Sequence, residues 1–148
     1  MRTVPMCLMF LALTIGKAAA QARQVIQVPG MTVAGLPFST AVRLGTTLYL
    51  SGQIGNLPGT RQLADTGVAG QTRQTLENIK AVLAYAGSSL DRVVKCTVFL
   101  SDIRDYAKMN EVYGTYFPKD PPARSTVAGS GLVLGARVEI ECLATVGA

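Results

Sequence analysis

Apolar and polar residues alternate along residues 47–54, which predicts a β-strand because successive strand side chains point to opposite faces. One face is expected to carry Leu48, Leu50, Gly52 and Ile54, and the other Thr47, Tyr49, Ser51 and Gln53. The same alternation predicts strands over residues 93–100 and 136–146, and the first of these is expected to place Val94 on one face with Cys96, Val98 and Leu100. Shorter apolar runs predict strands over residues 24–28, 41–43 and 124–128.

Apolar positions three and four residues apart predict a helix over residues 68–86, and Gly87 supplies its stop because glycine readily adopts the left-handed conformation there. A second helix is expected to start at a cap formed by Asp102 or Asp105 and to run through residue 117, before Pro118. The element order is β-β-β-α-β-α-β-β. Two helices cover only one face of such a sheet, so the sequence predicts an α+β fold with both helices packed on one face.

The opposite face of the predicted sheet mixes apolar, polar and charged side chains. Its expected members are Tyr49, Ser51, Lys95, Thr97, Phe99, Arg124, Thr126, Arg137 and Glu139. Such a face suits neither a hydrophobic core nor a solvated surface, whereas it suits a subunit interface that contains a ligand site. The pattern therefore predicts a homo-oligomer.

The first twenty residues have the three parts of a secretory signal peptide. Arg2 precedes an apolar run over residues 4–15. The segment at 18–22, Ala-Ala-Ala-Gln-Ala, then supplies the small residues, one position apart, of a cleavage site. The run is shorter than the roughly 20 apolar residues that span a bilayer. We therefore expect a signal peptide over residues 1–20, with cleavage after Ala20 or Ala22, and a single domain over residues 21–148. The destination would be outside the cytoplasm, in a bacterial periplasm, with no membrane contact after cleavage; the alternative is a disordered or amphipathic N-terminal arm.

The composition of the 148-residue chain excludes several kinds of chemistry. It contains no His and three Cys, so a Ser-His-Asp triad, an imidazole base and a His-ligated zinc site are absent. Its net charge of +5 comes from scattered residues rather than a run of Lys and Arg, which argues against a nucleic-acid partner. Only 16% of residues are charged, against about 25% in ordinary soluble domains, which also favours a covered surface. No cofactor or metal is expected.

Two cysteines, Cys96 and Cys142, lie within apolar strand patterns. An exported protein can pair them in an oxidising compartment. The preferred interpretation is that both are separate buried residues that pack like small apolar side chains.

The candidate binding and catalytic residues are charged side chains in the last two predicted strands or just before them. Arg137, Glu139 and Glu141 alternate with apolar residues and share one strand face, either as a solvated ladder of charges or as part of a site. Arg124 follows two prolines, and its planar guanidinium can bind a carboxylate through two hydrogen bonds. That carboxylate would belong to a ligand, or to Glu139 or Glu141. The glycines from 129 to 135 lack the spacing of a phosphate loop and predict a turn between strands.

Six segments in order resemble the RidA family, the reactive intermediate (enamine/imine) deaminases. They are TLYLSGQIG at 47–55, QTLENI at 74–79, KCTVFLSD at 95–102, NEVY at 110–113, PARSTV at 122–127 and VEIE at 138–141. The resemblance extends over residues 36–146. It implies a chorismate-mutase-like fold, a homotrimer, and sites in the clefts between subunits.

The resemblance also implies an activity, the hydrolysis of 2-imino acids such as 2-iminopropanoate and 2-iminobutanoate to 2-keto acids and ammonia. Arg124 stands where the family binds the substrate carboxylate, and Glu139 where the family places the acid that positions water. The substrate-binding residues that carry over are Phe38, Ser51, Gly52, Asn110 and Thr126.

The chain departs from the family pattern at one of these positions, since Phe38 stands where a Tyr is usual and removes a hydroxyl from the pocket. The main alternative is therefore a non-catalytic trimer that binds a small carboxylate through Arg124. A nuclease or translation-inhibitor role is opposed by the mild, scattered charge, and a purely structural or chaperone-like trimer is a further alternative.

Overall fold

The computed structural model describes residues 21–31 and 35–147. The signal peptide predicted for residues 1–20 lies outside the described residues and stays a prediction. The strands are β1 (Arg23–Ile26), β2 (Ala41–Leu44), β3 (Thr47–Leu50), β4 (Gln53–Ile54), β5 (Val93–Leu100), β6 (Ala123–Ala128) and β7 (Val138–Thr145). The helices are α1 (Val68–Tyr85) and α2 (Tyr106–Tyr116), with 3-10 turns at Leu90–Arg92, Ile103–Asp105 and Val133–Gly135.

The seven strands named above form one sheet. Six of them follow the order β1-β2-β3-β7-β5-β6, and the short strand β4 pairs with β7 on the same edge as β3. Only β5 and β6 are parallel, because α2 lies between them in the chain and returns it to the same end of the sheet. The fully buried core side chains include Leu48, Leu76, Ile79, Leu83, Val98, Leu100, Met109, Val138 and Ile140. They come from both helices and from one face of the sheet, which confirms the predicted α+β architecture.

The end of α1 confirms the expected glycine stop. Gly87 has φ +76°, and its N–H donates to the Ala84 carbonyl at 3.2 Å. The next N–H, of Ser88, donates to the Leu83 carbonyl at 2.8 Å. These two bonds satisfy carbonyl groups in the last turn of the helix, which otherwise lack partners.

A β-bulge interrupts the strand that was predicted as continuous over residues 47–54. Tyr49 pairs with Leu143 whereas Gln53 pairs with Ile140, so three residues stand opposite two. The extra residue reverses the alternation locally, and a Cβ on Gly52 would overlap the carboxylate of Glu139. The prediction that Gly52 shares the apolar face was therefore wrong.

A second irregularity corrects the prediction for Val94. The register between β5 and β7 shifts between Val93 and Lys95. As a result Val93 is buried and Val94 is 56% exposed, although the alternation had placed Val94 on the face of Cys96. Such local bulges leave no clear signal in the hydrophobic pattern.

The parallel pairing of β6 with β5 corrects a further expectation. Arg124 stands opposite Cys96, and Thr126 stands opposite Val98. Both partners belong to the core, so Arg124 and Thr126 lie on the helix-covered face. The prediction that they belong to the mixed open face was wrong, because a strand's own alternation does not say which of its faces meets the helices.

Cys96 and Cys142 are direct partners across β5 and β7, and they form a disulfide. Both residues are buried, as expected, but the preferred interpretation as two separate thiols was wrong. The bridge joins positions 46 residues apart in the chain and thereby limits the freedom of the unfolded state.

Two buried amides on α1 hold the sheet edge where the bulge lies. The Asn78 side chain donates to the carbonyl groups of Ile54 at 3.1 Å and Asn56 at 2.9 Å. The Gln71 side chain donates to the Asp65 carbonyl at 2.9 Å and accepts from the Arg137 N–H at 2.8 Å. These bonds satisfy otherwise costly buried polar groups and fix the segments on either side of Glu139.

Within the described residues, no helix is both long enough and apolar enough to span a membrane.

We predict that Gly55→Ala destabilises the protein by about 1–3 kcal/mol, the usual cost of an overpacked contact. A Cβ on Gly55 would lie 2.6 Å from the Cα of Gln71, so α1 would have to move away from the sheet. Gly114→Ala is the matched control, because a Cβ there meets nothing within 4 Å and alanine favours the helix by about 0.5–1 kcal/mol. Urea unfolding of both variants would measure the difference; equal stabilities would contradict the close packing of α1.

Candidate active site

The helix α2 and the strand β6 together form a group of residues that we call the arginine cluster: Tyr106, Asn110, Tyr113, Arg124 and Thr126. The three helical residues are four and three positions apart, so they share one face of α2. Arg124 and Thr126 are two positions apart on the helix-covered face of β6.

The Arg124 guanidinium lies against two aromatic rings. Its Cζ is 4.5 Å from the centroid of the Tyr113 ring and 5.8 Å from that of Tyr106. One Nη2–H donates to the Tyr106 hydroxyl at 3.4 Å. Among the described residues no carboxylate forms an ion pair with Arg124, so the alternative in which it pairs with Glu139 or Glu141 does not occur within one chain. Its planar fork is open to an anion.

Three polar atoms in the arginine cluster are buried without a hydrogen-bond partner in the described part of the chain. They are the Asn110 Oδ1, the Tyr113 hydroxyl and the Thr126 Oγ1. Nearly all buried polar atoms in proteins are hydrogen-bonded, so three such atoms beside one guanidinium indicate a place prepared for a polar ligand. The arrangement brings together Arg124, Asn110 and Thr126, three of the residues predicted for the site.

A cavity of about 320 Å³ opens on the other side of the sheet, and we call it the glutamate pocket. Its lining includes Phe38, Gly52, Arg61, Leu134 and Glu139. The volume is that of a small-molecule site. Phe38 is 50% exposed and presents its ring, with no hydroxyl, to this cavity.

Burial raises the pKa of Glu139, and the nearby Glu141 carboxylate raises it further. In the described part of the chain no cation forms an ion pair with either carboxylate. Arg137, the nearest cation in sequence, donates from Nε and Nη2 to Asp105 at 2.8 and 2.9 Å. A carboxyl group whose pKa lies above its usual range exchanges protons more readily near neutral pH. Glu139 is therefore suited to hold a water molecule and to accept or return its proton.

Ser51 fixes the backbone beside the glutamate pocket through two hydrogen bonds. Its hydroxyl donates to the Ser39 carbonyl at 2.7 Å, and its N–H donates to the Thr40 carbonyl at 3.1 Å. These bonds attach the bulge to the segment that carries Phe38. Ser51 does not line the cavity within this chain, and its predicted substrate contact stays a prediction.

Arg124 and Glu139 lie on opposite faces of the sheet. Arg124 contacts the rings of α2, whereas Glu139 alternates with the core residues Val138 and Ile140 and faces away from the helices. The sequence had placed both on one mixed face, and this was wrong. Within one chain the two halves of the predicted site therefore cannot act on one small molecule.

Sequence reasoning did not include Tyr106, Tyr113 and Arg61 in the site. The signal for the two tyrosines was present, because their spacing from Asn110 places all three on one helix face, but the pattern was used only to predict the helix. Arg61 lies in a loop whose path only the tertiary structure gives. No group of three or more His, Cys, Asp or Glu side chains in the described ranges is arranged to hold a metal ion.

Taken together, these features define an α+β protein with one open sheet face, a cationic cluster on one side of the sheet and an acidic cavity on the other. Residues 31–146 match the model of the family described as Endoribonuclease L-PSP. The chain belongs to this family, which is also called the RidA family.

Known relatives agree in sequence and in fold. The mouse protein named 2-iminobutanoate/2-iminopropanoate deaminase is 41% identical over 125 residues, which cover 84% of this chain and 93% of the mouse protein. The crystal structure of RidA from the Antarctic bacterium Psychrobacter sp. is 41% identical, with a TM-score of 0.78 over 83% of this chain and 99% of its own. The structure of E. coli TdcF with bound serine is 35% identical, with a TM-score of 0.77 over 84% of this chain and 99% of its own.

We predict that Glu139→Gln stabilises the protein at neutral pH. Because burial raises the pKa of this carboxyl in the fold, the native state binds its proton more tightly than the unfolded chain does. The wild-type free energy of unfolding should therefore fall as pH rises from about 4.3 through the raised pKa, and this decrease should disappear in the variant. Denaturant unfolding between pH 4 and 8 measures it, with the exposed Glu111→Gln as control; identical slopes for wild type and Glu139→Gln would contradict the burial argument.

Proposed function

We propose that the protein is an exported homotrimer that hydrolyses 2-imino acids, such as 2-iminopropanoate and 2-iminobutanoate, to 2-keto acids and ammonia. The observation that carries the proposal is the division of the site. One face carries a guanidinium that forms no ion pair within the described residues, with three polar atoms that lack hydrogen-bond partners there, and the other face carries an acidic cavity. A neighbouring subunit would bring the arginine cluster of one chain against the glutamate pocket of the next.

In this arrangement the guanidinium of Arg124 binds the substrate carboxylate through two charge-assisted hydrogen bonds, with Asn110 and Thr126 beside it. This fixes the imine carbon in front of a water molecule held by Glu139 in the neighbouring subunit. The water oxygen forms a bond to the carbon as the Glu139 carboxylate accepts a water proton. The protonated carboxyl then returns that proton to the imine nitrogen, which gives a carbinolamine. Glu139 next transfers the hydroxyl proton of the carbinolamine to its amino group, the carbon–nitrogen bond breaks as the carbonyl double bond forms, and ammonia and the keto acid leave.

The comparisons support this chemistry, because a relative named for the deamination of these two imino acids covers most of the chain and another was solved with an amino acid bound. The family description names an endoribonuclease, but the scattered charge of this chain favours a small anionic ligand over RNA. The disulfide supports export, because such bonds persist in oxidising compartments.

The direct test is imine hydrolysis by the protein starting at Gln21. An amino-acid oxidase generates 2-iminopropanoate in the presence of semicarbazide, which traps the imine. We expect the wild type to compete with the trap and Arg124→Ala to lower kcat/KM by about 100-fold or more. Arg23→Ala, an exposed arginine on β1, is the matched control and should keep full activity.

Two other outcomes would change the conclusion. If pyruvate raises the Tm of a wild type that shows no turnover, the protein is the non-catalytic carboxylate binder, and Phe38 marks the lost chemistry. If the wild type shows neither turnover nor a pyruvate-dependent Tm shift, then Arg124 does not bind a small carboxylate, and both the deaminase hypothesis and the binding-protein hypothesis are wrong.

The shared site makes a separate prediction. Arg124→Ala and Glu139→Gln subunits are each expected to be inactive, but unfolding and refolding them together should restore activity. In a ring of three head-to-tail contacts mixed at equal amounts, about one quarter of the sites would receive both wild-type groups. The double variant refolded with itself is the control. A mixture as inactive as its parents would show that Arg124 and Glu139 do not meet across subunits.

A further inference from the structure

We infer that Tyr113 is a ligand-binding residue whose hydroxyl donates a hydrogen bond to the substrate carboxylate held by Arg124. The inference rests on the proposed function and extends it, because neither the motif resemblance nor the comparisons assign Tyr113 a role. It would add a neutral donor to the carboxylate-binding half of the site.

The ring of Tyr113 is well packed, whereas its hydroxyl is not satisfied. The residue is 5% exposed, and the centroid of its ring lies 4.8 Å from that of the Phe117 ring. The Arg124 Cζ lies 4.5 Å from the same Tyr113 centroid. The hydroxyl is buried and has no hydrogen-bond partner among the described residues. Phenylalanine would make the same ring contacts without a buried unpaired hydroxyl, so packing alone does not explain the tyrosine.

The chemistry of the hydroxyl fits an anion beside the guanidinium. Burial raises the pKa of Tyr113 to about 12, against the opposing effect of Arg124, so the phenol keeps its proton at physiological pH. A carboxylate offers about four lone-pair positions, and a two-pronged arginine contact uses two of them. The remaining positions can accept from the hydroxyl groups of Tyr113 and Thr126, which find no hydrogen-bond partner within residues 21–31 and 35–147.

The geometry of the second tyrosine supports the same site. The pKa of Tyr106 is lowered, first by a hydrogen bond from the Asn110 side chain and then by Arg124. The Tyr106 hydroxyl accepts from the Arg124 Nη2–H at 3.4 Å, whereas the Tyr113 hydroxyl has no hydrogen-bond partner among the described residues. Among the described residues, the hydroxyl groups of Tyr113 and Thr126 are therefore the cluster's donors without a hydrogen-bond partner, and the ring that carries the Tyr113 hydroxyl lies 4.5 Å from the Arg124 Cζ.

The test compares Tyr113→Phe with Thr75→Val. Thr75 is the matched control, because its hydroxyl is also buried and unpartnered but lies on α1, outside the arginine cluster. Both variants remove an unsatisfied hydroxyl, and both should keep or raise the Tm. Only Tyr113→Phe should lower kcat/KM, by about 10-fold to 100-fold, the usual effect of a hydrogen bond to a charged group. The loss should lie mainly in KM, since the carboxylate is present in substrate and transition state alike.

Pyruvate binding measured by calorimetry separates this inference from the proposed function, because it needs no turnover. If the wild type binds pyruvate without hydrolysing imines, the proposed function fails, and weaker binding by Tyr113→Phe would still support the role of its hydroxyl. Unchanged kcat/KM and unchanged pyruvate affinity in Tyr113→Phe would overturn the inference while leaving the deaminase proposal standing. A wild type that neither binds pyruvate nor hydrolyses imines would overturn both.

Discussion

The parallel pairing of β6 with β5 is the constraint on which the candidate site depends. It places Arg124 opposite the core residue Cys96 and so directs the guanidinium toward α2 rather than toward the open face. The antiparallel strand β7, on the other side of β5, directs Glu139 away from the helices. One sheet thus carries a cation on one face and a carboxylate on the other, so within a single chain the two groups cannot contact the same small molecule.

The same arrangement explains why several groups are left in unfavourable surroundings within a single chain. Three buried polar atoms of the arginine cluster lack hydrogen-bond partners among the residues that the structure describes, and Glu139 is partly withdrawn from water beside a second carboxylate. Each of these features lowers stability in isolation. A well-packed core, the disulfide between β5 and β7 and the buried amides of α1 offset that cost. Groups that are costly alone and suited to a ligand are typical of binding sites.

The glutamate pocket depends on a bulge rather than on a motif residue alone. The extra residue between Tyr49 and Gln53 turns Gly52 toward Glu139, and any larger residue at this position would displace the Glu139 carboxylate. The Ser51 hydroxyl, which the sequence suggested as a substrate contact, donates to the Ser39 carbonyl and thereby holds the segment that carries Phe38. A residue can thus belong to a site's pattern because it shapes the backbone around the ligand, and its hydroxyl need not face the cavity.

The sequence by itself determined the order of the elements, the helix stop at Gly87, the burial of the two cysteines and the family. These features follow from the spacing of apolar residues and from local backbone preferences, which neighbours along the chain decide. Only the tertiary structure decided the bulge at Gly52, the exposure of Val94, the pairing of Cys96 with Cys142 and the side of the sheet on which Arg124 lies. The physical reason is that alternation tells which residues share a face of one strand, whereas register between strands tells which faces coincide, and register is set by contacts between residues distant in the chain.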